Sequence, residues 1–181
     1  MSVLKKTVNV PLKGAKNAVE LMRKGRLCAP HATPYDIVYE DNRYKLRHYP
    51  AAKASKSKKN KPVIALTPPL MLDSVVYDIA PELRVVKYLY GQGADVWVID
   101  FGAPENITGA MNRTFDDQIL AMDHAIDKIH EITGKNVHLA GYSQGGMFAY
   151  ECAAFRKSRT IASVITFGSP INWHRNLLPK F

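Results

Sequence analysis

The sequence predicts an α/β fold: a mostly parallel sheet with helices on both faces, preceded by an antiparallel hairpin. Three observations carry that prediction. Short, nearly continuous apolar runs recur at 62–67, 95–100, 136–141 and 161–167, as expected of strands buried on both faces. Between these runs the apolar residues return every three or four positions, which is helical spacing. Ahead of them, 36–40 and 44–49 mix polar and apolar residues on either side of Asp41-Asn42-Arg43, the pattern of a hairpin with one wet face. Strands alternating with helices in this way form a βαβ series. No internal repeat is visible.

Taken in order, the chain opens with a basic amphipathic helix over 12–24. Leu12, Ala15, Val19 and Met22 share one stripe, Lys13, Lys16, Glu20 and Lys24 lie opposite, and Gly25 is the stop. This helix reads either as a packing arm of the domain or as an attachment to a lipid surface. Residues 1–32 are thus a basic helical arm and 33–181 the core. After the hairpin, Lys53, Lys56, Lys58, Lys59 and Lys61 stand among Ala, Ser and Asn, which predicts a solvated, dispensable loop. Pro68 and Pro69 end the first buried strand. Pro81 is expected in the first turn of a helix with Leu83, Val86 and Leu89 or Tyr90 on its apolar face and Gly91 as its stop. Thr114 and Asp117 form a capping-box pattern before Ile119, Met122, Ile126 and Ile129, and Gly134 closes that helix. A last helix places Phe148, Cys152 and Phe155 on one side.

Composition narrows the function classes. With 181 residues, 46% hydrophobic and 23% charged, the chain is long enough for one domain with a sizeable core. It is neither disordered, collagen-like nor coiled-coil. No apolar run is long enough to span a bilayer, and no signal-peptide pattern follows the early lysines. Cys28 and Cys152 are too few for a disulfide framework, and no Cys/His cluster has metal spacing. A reducing cytoplasm is the expected compartment. Residues 1–61 carry a net charge of +11 and residues 62–181 a net −2. The basic excess therefore belongs to the N-terminal third, and nucleic acid is not an expected partner.

The chemistry-bearing segment is Gly141-Tyr142-Ser143-Gln144-Gly145-Gly146, which contains G-x-S-x-G between a predicted strand and a predicted helix. A nucleophile on so sharp a turn takes a strained backbone conformation, so residues two before and two after it must be small. The Ser143 side chain would then project above the carboxyl edge of the sheet, with the Gln144 amide facing a developing oxyanion. The other reading of the same residues is a glycine-rich turn serving close packing or phosphate binding.

Further stretches join this turn in a recognisable order: Thr33-Pro34-Tyr35-Asp36, Leu46-Arg47-His48-Tyr49, Leu66 to Asp73, Val85 to Leu89, and Ile99-Asp100-Phe101-Gly102-Ala103-Pro104. From about residue 33 to 170 the chain resembles the α/β-hydrolase fold, and within it the poly(3-hydroxyalkanoate) synthase-like branch. The resemblance implies that the turn residue attacks an acyl ester or thioester and holds the acyl group before passing it to water, an alcohol or a growing polyester. By position that residue is Ser143. The synthases typically carry cysteine there, so serine shifts the expectation toward a hydrolase or acyltransferase. Cys152 lies in the following helix and reads as a small buried hydrophobe. The second oxyanion donor of the fold comes from an early loop, here Thr67-Pro68-Pro69-Leu70-Met71, in which Leu70 is the first residue after Thr67 with an amide proton.

The resemblance also exposes a gap. The fold orders its triad Ser, then Asp or Glu, then His, yet Glu151 is the only acid after Ser143 and His174 the only histidine. His124, His130 and His138 precede the turn. The chain therefore resembles the N-terminal half to two-thirds of a hydrolase, with the acid and base expected on further strands. Two functions follow: serine acyl transfer or hydrolysis on a fatty-acyl or hydroxyacyl ester or thioester, or a non-catalytic module associated with lipid or polyester granules. No cofactor or metal is expected for either.

Overall fold

The structure, a computed structural model, describes residues 13–23, 33–49, 61–70, 72–104, 107 and 109–172. Its main sheet is built from β1 (Asp36–Glu40), β2 (Lys45–Tyr49), β3 (Val63–Thr67), β6 (Asp95–Asp100), β7 (Val137–Tyr142) and β8 (Ile161–Phe167). The strand order is β1-β2-β6-β3-β7-β8. The hairpin β1–β2 is antiparallel and joins β6 antiparallel, whereas β6, β3, β7 and β8 run parallel throughout. All six strands lie where the sequence placed them, the four parallel ones on the apolar runs and β1 and β2 on the two mixed segments.

Side-chain alternation along the central strands splits the core into two layers. On β6, Trp97 and Ile99 face α3 (Phe115–Thr133) and α4 (Gln144–Phe155) and pack with Met122, Ile126, Ile129, Phe148 and Cys152. Val96 and Val98 face the other way, toward Val86 and Leu89 of α2 (Val85–Gly91). A strand buried on both sides cannot alternate apolar with polar, which is why these runs are continuous. Helix α3 begins at a complete capping box: Thr114 N donates to Asp117 Oδ2 at 2.8 Å and Asp117 N to Thr114 Oγ1 at 3.2 Å. It ends at Gly134, whose φ of 66° is the left-handed cap.

Two expectations are corrected. Pro81 is not in a helix: it sits in the turn of a small second hairpin, β4 (Asp78–Ala80) with β5 (Leu83–Arg84), and α2 starts only at Val85. Strand pairing of Leu83 and Arg84 removes them from the helix, and Leu83 is exposed rather than on its apolar face. Phe155, the last residue of α4, rims an outer groove with Phe115 and Leu120 instead of joining Phe148 and Cys152 in the core. Residues 13–23 form a helix, α1, and Val19 and Met22 of its apolar stripe are 59% and 80% exposed with respect to the described residues. Leu12 and the lysine-rich loop, except Lys61, lie outside the described residues. Among those described, no helix is long and apolar enough to cross a membrane.

Candidate active site

Strand β7 ends at Tyr142 and helix α4 begins at Gln144, leaving Ser143 alone at the corner. Its φ of 52° and ψ of −121° put a non-glycine residue in the positive-φ region, at a cost on the order of 1–3 kcal/mol that the surroundings must impose. Three glycines let them do so. A Cβ on Gly141 would stand 2.3 Å from the Gly145 carbonyl, and one on Gly145 2.1 Å from Thr67 O. On Gly146 it would meet Ser169 Oγ at 2.0 Å. The corner is further pinned by Ser143 N donating to Phe167 O of β8 at 2.7 Å and Gly146 N donating to Ser143 O at 3.1 Å. Ser143 is half-buried, at the carboxyl edge of the parallel strands.

The first amide of α4, Gln144 N–H, has no acceptor one turn back within the helix, and the positive end of the helix dipole lies here. Across from it runs the loop that follows β3. Leu70 N donates to the side-chain oxygen of Gln144, Oε1, at 3.2 Å. A carbonyl-type oxygen thus already occupies the Leu70 amide, and the Gln144 side chain ties the loop to the corner. Tyr77 adds a second tie, its hydroxyl bonding Thr67 O and Tyr142 N. Neither tie is written in local sequence; the one hint is that Gln144 and Leu70 belong to the two segments singled out from the motif.

No described histidine accompanies Ser143. His124 Nδ1 pairs with Tyr44 OH at 3.0 Å, and His130 Nδ1 with Lys135 O at 2.8 Å. His138 bonds Ser163 at the start of β7, five residues and roughly 16 Å of strand from Ser143. His48 stacks on Trp97 and pairs with Asp95 at 2.7 Å, where β6 begins. His174 lies outside the described residues. Glu151 is eight residues along α4 from Ser143, about 12 Å of helix. It lines the outer groove with Phe115 and Leu120, and burial raises its carboxyl pKa. Cys152 is fully buried against α3, and burial pushes its thiol up to about 12. No group of three or more metal-ligating side chains occurs among the described residues.

A parallel sheet entered by an antiparallel hairpin, with a serine on a glycine-clamped strand-to-helix corner, defines the class: this is the α/β-hydrolase fold. Francisella virulence factor BioJ superimposes with a TM-score of 0.56 at 19% identity, over 90% of this chain and 51% of that one. The mature Bacillus licheniformis lipase BlEst2 gives 0.56 at 18%, over 73% and 49%. Within the class, the sequence resembles poly(3-hydroxyalkanoate) polymerase subunits PhaC. The Haloferax mediterranei protein is 29% identical over 124 residues, and the Allochromatium vinosum protein 26% identical over 143. Those alignments take in 67% and 78% of this chain but only 24% and 39% of the relatives' length. No family model matches the chain.

Proposed function

We propose that this chain carries the nucleophile of an acyl-transferring or ester-hydrolysing serine enzyme, acting on a fatty-acyl or hydroxyacyl ester or thioester. Ser143 Oγ attacks the acyl carbonyl and forms a tetrahedral oxyanion. The Gln144 and Leu70 amides stabilise that charge, the latter after exchanging Gln144 Oε1 for the substrate oxygen. The intermediate collapses to an acyl-serine as the alcohol or thiol leaves with a proton. Water or a second alcohol then takes the acyl group. The base that removes the serine proton, and the acid that orients it, come from outside the described residues. In this reading residues 1–32 are an appended arm and 33–181 the catalytic portion.

The observation that carries this reading is the positive φ of Ser143 between three glycines: strain of this kind persists only where structure over-determines it. The similarity to the polymerase subunits supports ester chemistry in general, and serine in place of the expected cysteine favours ester exchange over thioester polymerisation.

The test is labelling of the whole chain with a fluorophosphonate, read by peptide mass spectrometry. One adduct at Ser143 is expected, absent in Ser143→Ala, with slow turnover of p-nitrophenyl butyrate, since a missing triad member removes several orders of magnitude in rate. Equal labelling of Ser143→Ala would sink the nucleophile. Absence of any adduct would favour the non-catalytic lipid- or granule-binding module. Brisk turnover would place the base within the chain, with His174 the first candidate to replace.

A further inference from the structure

The parallel ladder between β3 and β7 ends at the pair Thr67–Gly141. One residue further on the two chains diverge. Pro68, which has no amide proton, carries β3 into the Leu70 loop, and Tyr142 carries β7 into the Ser143 corner. The fork between them is filled by a side chain from a third segment. Tyr77 closes a short 3-10 turn, Ser74–Tyr77, that Asp73 caps through Val75 N at 2.7 Å. Its ring is buried beside Leu66 and Ala140. Its hydroxyl donates to Thr67 O at 2.7 Å and accepts from Tyr142 N at 3.2 Å. Both partners are main-chain atoms, one residue before the Leu70 loop begins and one residue before Ser143.

We infer that Tyr77 is the positioning residue that sets the spacing of the two oxyanion donors, holding the Leu70 loop and the Ser143 corner at one separation. The inference rests on the proposed function for its catalytic meaning. Two neighbouring contacts agree with it. Gly145 touches Thr67 O and Pro68 so closely that no Cβ fits, and Gln144 Oε1 holds Leu70 N further out. The fork is thus closed at its root by Tyr77, at its middle by Gly145 packing and at its mouth by Gln144. Of these, only the root contact bonds both main chains at once. The ladder itself does not make this link, because the Tyr142 amide donates to the Tyr77 hydroxyl and the hydroxyl in turn to Thr67 O. Burial holds the phenol pKa well above its ordinary value, which favours the protonated hydroxyl that donates to Thr67 O.

Tyr77→Phe removes the hydroxyl and keeps the ring. The expected result is a 10- to 100-fold fall in the limiting rate of Ser143 phosphonylation by the same fluorophosphonate, with half-saturation unchanged, a loss of the size that about 1 Å of misplacement produces. The Tyr142 amide should also exchange with solvent faster. Val76→Ala, on the same turn but outside the bond pair, is the control for packing and should leave the rate within about twofold. Wild-type labelling by Tyr77→Phe, or equal slowing by Val76→Ala, would overturn the inference. If wild type is not labelled, or Ser143→Ala is labelled as fast, the nucleophile reading falls by itself. Exchange at the Tyr142 amide then decides the geometric link: faster in Tyr77→Phe supports it, unchanged overturns it.

Discussion

At Gly145 a single methyl group decides whether the corner can form. Its Cβ would fall 2.1 Å from Thr67 O and 2.8 Å from the Pro68 carbonyl, main-chain atoms of a buried strand end that cannot swing aside as a flexible side chain would. Gly145→Ala should therefore destabilise the fold by about 3 kcal/mol, the upper end of overpacking costs, read as a fall in urea midpoint at unchanged m-value. A variant within experimental error of wild type would mean that the loop after β3 yields freely, and the close approach would then position nothing. Cys152 makes the complementary case. Its thiol is fully buried and its pKa is raised to about 12 by burial, so the reactive thiolate is negligible at neutral pH. Peptide-level mapping with iodoacetamide should find Cys152 unmodified in native protein and modified in urea. Rapid native modification would restore a thiol nucleophile to consideration. The glycine spacing and the inert cysteine were legible in the sequence, because each follows from residue type and position. Tyr77 and the Gln144–Leu70 bond were not, since they join segments 65 and 74 residues apart.

The elements tell the same story of local against distant information. The central strands β3, β6 and β7 were legible because burial on both faces writes a continuous apolar run, and β8 because it carries a run of the same kind. Strands β1 and β2 were legible because they mix polar and apolar residues about a turn, and α3 because its cap, stripe and terminal glycine agree. The β4–β5 hairpin was hidden: two very short strands around Pro81-Glu82 look like a helix start, and only pairing between Asp78 and Arg84 settles the matter. Strand β8 carries the most consequential element-scale feature. It pairs with β7 on one side and with no described strand on the other. On the α2 side, Tyr142, Ile165 and Phe167 are 44%, 40% and 55% exposed along a groove of about 570 Å³ lined by Ile64, Leu66 and Leu89. An open apolar edge of this kind is marginal by itself. Residue-resolved hydrogen exchange should find the β7 amides protected to near the global unfolding free energy and those of β8 opening well below it. Equal protection of the two strands would mean that something already covers the edge and the groove.

Across the whole molecule, folding lowers carboxyls at separate places, and one of them belongs to the cluster around Arg156. Arg156, at the end of α4, is buried. It donates to Asp127 Oδ1 at 2.6 Å, to Asp123 O at 2.9 Å, to Thr160 Oγ1 at 2.7 Å and to Arg159 O at 3.2 Å, and also pairs with the Asp123 carboxylate. One guanidinium thereby ties α3, α4 and the approach to β8, which Val137 N also grips through Thr160 O at 2.9 Å. The Arg156 hydrogen bond holds the Asp127 carboxyl below its ordinary 3.8. Asp41 is likewise lowered: burial pushes it up, but the amides of Arg43 and Tyr44 and the Arg43 guanidinium more than offset that. For a carboxyl lowered by folding, the unfolded chain binds protons first as pH falls, so stability rises with pH in that window. The contribution is complete above about 3.8 and is lost as pH falls through the depressed folded value. Asp127 is 39% exposed, so solvent screens the pair, and its loss should cost only about 1 kcal/mol. Asp127→Asn should accordingly lower the urea midpoint at pH 7 and flatten its decline between pH 4 and pH 2.5, the two proteins converging at the acid end. Parallel curves over that range would mean that the carboxyl titrates alike in the folded and unfolded chains, and the acid limb would then have to be sought at Asp41.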